Sequence, residues 1–271
     1  MMIKKEPITV DRIKADLQTL GLRPGMTVIV HSSMKSLGGW ILGGPVAVIM
    51  ALEQLLGVEG TLVMPTHTGE LSDPSTWVNP PVDPKWWDVI RNAMPGYDPD
   101  LSPTYYMGAI SECFRKQKGT LRSSHPQVSF AARGRLAERI CGEHSLENCL
   151  GETSPLAKIY EAGGYVLLLG VGYSVNTSLH LAEYRANYPG KKQIVHRAPI
   201  MRGQTSEWVE FADIEFDEGD FADIGQQFEK DCPHIVRRGN IVEAPSVLVP
   251  QKDLVDFATV WMERNRNQST K

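Results

Sequence analysis

The stretch YVLLLGVGYSVNTSLHLAEYRA, residues 165–186, joins a short apolar run to the polar start of a helix. Residues 165–170 form a run of the length and composition typical of a buried strand. Asn176 then offers a natural cap for free backbone N–H groups, so a helix is predicted to begin close to it. A buried strand that leads directly into a helix is the repeating unit of a parallel sheet covered by helices.

The same order of elements occurs nearer the N-terminus. Residues 26–31, MTVIVH, and residues 60–66, GTLVMPT, predict two more buried strands. A helix is expected to begin between them at Pro45, because proline suits the first helical position. The C-terminal third, including the alternating segment 208–216, WVEFADIEF, has a more antiparallel character. We therefore predict an α/β protein with a mixed, partly parallel central sheet, whose ligands bind beyond the carboxyl ends of its strands.

The composition excludes several functional classes. The chain has 271 residues and a formal net charge of −4, which gives no reason to expect nucleic-acid binding. The N-terminal residues MMIKKEPITV do not resemble a secretory signal, and no apolar run approaches the roughly 20 residues of a membrane span. The four cysteines show no metal-binding spacing, so we expect free thiols, a cytoplasmic location and no bound metal.

A long segment without clear periodicity extends from about residue 67 to residue 107 and is rich in Pro, Trp, Asp and Tyr. Segments of this length inside one domain are usually functional, and the aromatic residues argue against disorder. We predict a single domain over residues 1–271, in which this loop lies on the substrate side. Its carboxylates and tryptophans, Trp77 among them, suit a cationic ligand. The alternative is a surface loop that its tryptophans anchor.

His180 lies in or near the first turn of the helix predicted after the opening strand. Thr177, His180 and Tyr184 share one helical face, whereas Glu183 is offset to its side. The positive end of the helix dipole favours a neutral imidazole, which is able to accept a proton. A nearby carboxylate would have the opposite effect on the pKa of His180 and would orient the ring. The local pattern leaves two readings open, a catalytic base and a hydrogen-bonded structural histidine.

Two other segments combine small polar residues with features that suit an anion. HSSMKSLGG, residues 31–39, follows a strand and is rich in Gly and Ser, so its backbone N–H groups could hold a phosphate. LRSSHPQVSFAARG, residues 121–134, carries two arginines and several hydroxyl groups. The alternatives are a flexible turn for the first segment and a capped loop for the second. Neither contains the glycine pattern of a nucleotide or dinucleotide site.

Taken together, these segments resemble the aminoglycoside 3-N-acetyltransferase family, also called the antibiotic N-acetyltransferases. The resemblance rests on motifs that occur in the family's order between about residues 26 and 190, and the tail WVEFADIEFDEGDFADIG also fits. These motifs are VHSSMKSLG, GTLVMPTHT with DPSTW and NPP, RSSHPQVSFAARG, SPLAKIY and NTSLHLAEYRA. The resemblance implies a three-layer α/β/α sandwich, distinct from the GNAT acetyltransferase fold, and transfer of acetyl from acetyl-CoA to an amine.

The resemblance also implies roles for individual residues. His180 would be the general base, with Thr177 and Glu183 in the same motif and a tail carboxylate, Asp213 or Glu215, as a further candidate to support the histidine. The expected substrate-side residues are His67, Asp73, Trp77 and Glu183. Acetyl-CoA would contact His31, Ser32, Ser33, Met34, Lys35, Leu37, Gly38, Met107, Arg122, Ser124, His125, Ser129 and Phe130.

The chemistry of this assignment is coherent. An amine that is protonated at neutral pH must lose a proton before it attacks a thioester, and histidine has a suitable pKa for that step. Thr177 or a backbone N–H would stabilise the oxyanion. We expect direct attack on an aminoglycoside-like amine. The alternatives are another metabolite amine as acceptor and, more remotely, a CoA-binding protein or a hydrolase on the same scaffold. A homodimer is the candidate assembly.

Overall fold

The computed structural model describes residues 6–266, which form a mixed sheet with helices on both faces. The strands in this part of the chain are β1 Thr27–Ser32, β2 Thr61–Pro65, β3 Leu121–Arg122, β4 Phe130–Gly134, β5 Tyr165–Leu169, β6 Gln193–Arg202, β7 Thr205–Ile214, β8 Arg237–Ile241 and β9 Ala244–Pro250. The helices are α1 Val10–Leu20, α2 Pro45–Leu56, α3 Trp87–Ala93, α4 Gly108–Arg115, α5 Ala137–Cys141, α6 Pro155–Glu161, α7 Ser178–Arg185, α8 Phe221–Asp231 and α9 Gln251–Asn265.

Seven strands form the central sheet, in the order β3-β4-β2-β1-β5-β9-β8. β1 pairs in parallel with β2 on one side and with β5 on the other. All other pairs in this sheet are antiparallel. The carboxyl ends of β1, β2 and β5 therefore lie side by side at one edge, which is where a ligand site is expected in such a sheet.

Side chains of the central strands alternate between two hydrophobic cores, because successive residues of a strand point to opposite faces. Val28 and Val30 join the core formed with α1, α2 and α4. Ile29, which lies between them, joins the core formed with α5 to α9. These two helical layers and the mixed sheet confirm the predicted three-layer α/β/α sandwich.

Local sequence signals mark several helix ends. Gly21 ends α1 with a φ of +117°, a conformation that costs a glycine little because it has no Cβ. Pro45 occupies the first turn of α2, as predicted. Ser154 caps α6, since its side chain accepts a hydrogen bond from the backbone N–H of Leu156.

The C-terminal third differs from the sequence-based picture. The segment expected as a half-exposed strand, residues 208–216, lies mostly in β7, which pairs with β6 in a separate two-stranded hairpin and not in the central sheet. The antiparallel strands of the central sheet are instead β8 and β9. No helix within residues 6–266 is both long and apolar enough to cross a membrane.

The segment 67–107 contains α3, which its sequence pattern did not reveal, and it lies against the β6–β7 hairpin. The backbone of Tyr97 forms a bridge with Ile200. Gly96 next to it has no room for a side chain, because a Cβ there would lie 2.5 Å from the carbonyl carbon of Ile200. The indole of Trp208 on the hairpin donates a hydrogen bond to the carbonyl of Arg91 at 2.7 Å.

Candidate active site

The site is built at the start of α7, directly beyond the end of β5. The side-chain oxygen of Asn176 accepts a hydrogen bond from the N–H of Ser178 at 3.1 Å, so the predicted capping residue does cap the helix. α7 begins at Ser178, which places His180 in its first turn. Asn176, Ser178 and His180 are all buried, and Thr177 is 8% exposed. This short segment therefore fixes a histidine at the edge of the sheet where the parallel strands end.

Glu183 is the carboxylate that orients His180. Its Oε2 lies 2.5 Å from Nδ1 of the imidazole, and its side chain is fully buried. The three-residue spacing on α7 brings the two groups together, although the sequence analysis had set Glu183 to one side. Nδ1–H donates to this carboxylate, which leaves Nε2 as the nitrogen that can exchange a proton with a substrate.

A second carboxylate reaches His180 from the loop before α8. Oε1 of Glu218 lies 3.3 Å from Nε2, and its side chain is 63% exposed. The sequence analysis missed this residue, because only the tertiary structure brings the tail to α7. Burial lowers the pKa of His180, but the hydrogen bonds and charges of Glu183 and Glu218 outweigh burial and raise the pKa above its ordinary value.

The two other tail carboxylates do not support His180, which corrects the sequence analysis. Asp213 is buried, but it accepts hydrogen bonds from the hydroxyl of Tyr184 and, at 3.0 Å, from the N–H of Cys149. Glu215 pairs with Lys192 at the surface, at 2.9 Å. Asp213 lies at the end of strand β7, whereas Glu215 and Glu218 lie in the loop that follows it. The direction of a side chain in a loop does not follow from its sequence spacing, so the spacing of these three carboxylates did not reveal which one reaches His180.

His31 and His67 lie close enough to His180 for their charges to interact with it. Burial, followed by the charge of His180, lowers the pKa of His31 to about 3. The same causes, in the same order, lower the pKa of His67 to about 3. The Nε2 atoms of both residues are enclosed and have no hydrogen-bond partner among the residues that the structure describes. Both imidazoles are therefore neutral near pH 7.

A cavity of about 200 Å³ lies at this edge of the sheet. His31 and Ser32 at the end of β1 line it together with Tyr106, Met107 and Thr177. The structure thus brings together residues that the resemblance placed in three separate parts of the chain: the segment HSSMKSLG, the region of Met107 and the motif NTSLHLAE. Thr177, which lines the cavity, lies three residues before His180 in the chain.

The remainder of the 31–38 segment forms a short 3₁₀ turn, Lys35–Leu37, beside the end of β5. Ser33, Met34 and Gly38 are half-buried, and Lys35 is exposed. The N–H of Ser33 donates to the carbonyl of Leu169 at 2.9 Å. The side chain of Leu37 is fully buried in the hydrophobic core, and contact of this residue with acetyl-CoA stays a prediction.

In the segment 122–130 most of the predicted cofactor-binding side chains are buried or form hydrogen bonds with other parts of the protein. The guanidinium of Arg122 donates to the hydroxyls of Thr66 and Ser129 and to three backbone carbonyls. Nδ1 of His125 accepts from two backbone N–H groups. His125, Ser129 and Phe130 are fully buried, and only Ser124 is exposed. Contact of those three residues with acetyl-CoA stays a prediction, and Arg122 and Ser129 also bond to Thr66, directly after β2.

The substrate-side predictions have different outcomes. His67 lies near the base, with its ring edge against Phe130. Trp77 is half-buried and donates from its indole N–H to the hydroxyl of Ser72. Asp73 is 4% exposed, pairs with Arg91 at 2.7 Å and with Arg197 at 3.0 Å, and the hydrogen bond from Arg91 holds its pKa below the ordinary value. A carboxylate held in this way joins the loop to the hairpin, and its contact with the substrate stays a prediction.

Comparison with known proteins identifies the family. The aminoglycoside 3-N-acetyltransferase family model matches residues 29–263. The SPbeta prophage-derived aminoglycoside N(3')-acetyltransferase-like protein YokD of Bacillus subtilis is 45% identical over 98% of this chain and 96% of its own length. Its crystal structure has a TM-score of 0.92, over 97% of this chain and 96% of that one.

Two further relatives agree with this result. Aminoglycoside N(3)-acetyltransferase VII of Streptomyces paromomycinus is 36% identical over 95% of this chain and 92% of its own length. The structure of AAC-IIIb in binary complex with CoASH has a TM-score of 0.86 at 32% identity and covers 98% of this chain and 100% of that one. The predicted enzyme class, an acetyl-CoA-dependent N-acetyltransferase, is thereby confirmed. The chain belongs to the aminoglycoside 3-N-acetyltransferase family.

Proposed function

We propose that the protein transfers the acetyl group of acetyl-CoA to an amine of an aminoglycoside-like polycation, with His180 as the general base. The observation that carries this proposal is the buried pair of His180 and Glu183 beside the cavity at the ends of the parallel strands. Glu183 holds the imidazole through Nδ1, so Nε2 is the proton acceptor. The charge of Glu183 also stabilises the imidazolium that forms.

The proposed reaction is a direct attack. The acceptor nitrogen forms a bond to the thioester carbonyl carbon and gives its proton to Nε2 of His180. The carbon–sulfur bond then breaks, and CoA leaves as a thiolate that takes up a proton. Thr177, which borders the cavity, is the proposed hydrogen-bond donor to the oxyanion. His31, Ser32 and Met107 line the same cavity and are the proposed contacts for acetyl-CoA.

Glu218 has a proposed role in receiving the acceptor. A carboxylate 3.3 Å from Nε2 is favourable only when that nitrogen carries a proton, so Glu218 stabilises the imidazolium of the free enzyme. An incoming ammonium group can replace that proton as the partner of Glu218. The acceptor amine would then lie against the base that must deprotonate it.

A second cavity, of about 360 Å³, is the proposed space for the rest of a polycationic acceptor. Thr68, Glu70 and Asp98 of the long loop line it, together with Met201 of the hairpin. Burial raises the pKa of Glu70, as expected for a carboxyl group whose charge would be relieved by a cation. This cavity supports an acceptor larger than a simple amine and favours the aminoglycoside class over a small metabolite amine.

The test is a CoA-release assay with acetyl-CoA and a panel of amines that includes aminoglycosides, small diamines and a monoamine, with His180→Asn as the matched inactive control. We expect turnover with one or more aminoglycosides and little with the small amines. Turnover restricted to small amines would favour the alternative acceptor class. CoA release without any amine would indicate a hydrolase.

A further inference from the structure

The end of the last helix reaches the catalytic carboxylate. Arg266, which follows α9, is 9% exposed, and its Nη1 donates to Oε1 of Glu183 at 2.7 Å. Oε2 of the same carboxylate faces Nδ1 of His180 at 2.5 Å. One buried carboxylate thus bridges the guanidinium and the imidazole. The family match ends at residue 263, so it assigns no role to this position.

All five N–H groups of Arg266 are used, and their partners belong to the elements that surround the base. Nε and Nη2 donate to the two carboxylate oxygens of Asp220 at 2.8 and 2.7 Å. Nη1 donates also to the hydroxyl of Tyr188 at 2.9 Å, and Nη2 to the carbonyl of Asp217 at 2.6 Å. The guanidinium therefore holds both ends of the segment 217–220, which carries Glu218. A lysine has three donors and no fork geometry, so it could not make this set of contacts.

We propose that Arg266 is a positioning residue for the acyl transfer, which fixes the Glu183 carboxylate against His180 and ties the Glu218 loop to the same point. This inference rests on the proposed function only where acetyl transfer is measured. The ionisation of His180 can be followed without any substrate and so does not depend on that function.

The charge of Arg266 gives the proposal a distinctive signature. The charged or titratable groups that contact His180 or act on its pKa are Glu183 from α7, Glu218 from the loop before α8, His31 from β1 and His67 after β2. Arg266, Lys191, Tyr188, Asp217 and Asp220 lie around Glu183 and Arg266. Arg266 offsets part of the negative charge of Glu183. Its removal should therefore raise the proton affinity of His180, which then faces a carboxylate whose charge is not offset.

The experiment compares Arg266→Met and Arg266→Lys with the wild-type chain, and uses Arg264→Met as a matched control, because Arg264 is an exposed arginine of the same helix. Two quantities are measured: the pH dependence of acetyl transfer and the titration of His180 by NMR in the substrate-free enzyme. For Arg266→Met we expect kcat to fall about ten- to a hundredfold, as for the loss of hydrogen bonds to a charged group. The His180 titration should shift to higher pH.

Arg266→Lys keeps the charge and loses part of the hydrogen-bonding geometry. We expect its His180 titration to stay near the wild-type pH and its kcat to fall severalfold. Arg264→Met should match the wild type in both measurements. A folded Arg266→Met protein with an unshifted His180 titration would overturn the proposal. An Arg266→Lys protein with wild-type kcat would overturn it as well. This second outcome keeps the test decisive if the methionine variant does not fold. If no aminoglycoside is turned over, the NMR titration alone still decides the role of Arg266.

Discussion

Glu218 provides the most direct test of how the base is tuned. The variant Glu218→Gln keeps the shape of the side chain but removes its charge 3.3 Å from Nε2 of His180. In water, Coulomb's law at this distance gives about 1.3 kcal/mol. The Glu218 side chain is 63% exposed, and exposed ion pairs contribute about 0.2–1 kcal/mol because side-chain motion and salt weaken them. At about 1.4 kcal/mol for each pKa unit, the pKa of His180 should fall by about 0.1–0.7.

The assay is an NMR titration of the imidazole Cε1–H signals, with the His180 signal assigned by His180→Asn. The chain has seven histidines, and burial lowers the pKa of five of the others, which separates their titrations from that of His180. These five are His31, His67, His125, His144 and His196. Glu215→Gln is the matched control, because Glu215 lies in the same tail and pairs with Lys192.

The two variants should behave differently. Glu218→Gln should lower the pKa of His180 and raise the acceptor KM by up to about fivefold, since the ammonium loses one carboxylate partner. Glu215→Gln should change neither quantity. An unchanged or higher His180 pKa in Glu218→Gln would refute the reasoning, as would an equal shift in the control.

Three other predictions address the base, its pH dependence and the long loop. His180→Ala should lower kcat at least a hundredfold with an unchanged circular dichroism spectrum, because the carboxylate that remains nearby, Glu218, is a much weaker base than an imidazole near pH 7; near-normal turnover would contradict the assignment. In the wild type, kcat/KM should rise with pH through a pKa above 6.5, since the neutral imidazole is the active form and Glu183 and Glu218 raise its pKa; an acid limb below pH 6 would contradict that direction. Asp73→Asn should reduce the free energy of unfolding by about 2 kcal/mol in urea denaturation, because Arg91 and Arg197 lose a buried partner but remain partly hydrated. A raised acceptor KM with unchanged stability would instead support contact of Asp73 with the substrate.

The sequence predicts those features that depend on neighbouring residues. Periodicity and caps located β1, β2 and β5 and the beginnings of α2, α6 and α7, and the motif NTSLHLAEYRA located His180. Contacts between distant parts of the chain were not predictable in this way. The pair of Asp73 and Arg197 spans 124 residues, and Glu218 reaches His180 only because the segment after β7 turns back over α7.

The cofactor assignments show the same limit at the level of single side chains. RSSHPQVSF has the composition of an anion-binding loop, yet its hydroxyls, imidazole and guanidinium bond to the protein. Hydrogen-bonding capacity can be read from a sequence, but the partner that uses it depends on burial. The single-domain organisation, the homodimer and the cytoplasmic location stay predictions.

The β6–β7 hairpin lies outside the central sheet and contacts the long loop after β2 at three points. These are the ion pair of Arg197 with Asp73, the hydrogen bond from the indole of Trp208 to the carbonyl of Arg91, and the close approach of Gly96 to Ile200. These two segments therefore form one structural unit, although they lie far apart in the chain. A chimera that exchanges the loop alone with a relative would remove Asp73 as a partner of Arg197, leaving Glu210, and would place a different backbone against Ile200. If the acceptor lies against the long loop as proposed, a change of acceptor preference would require paired changes in both segments.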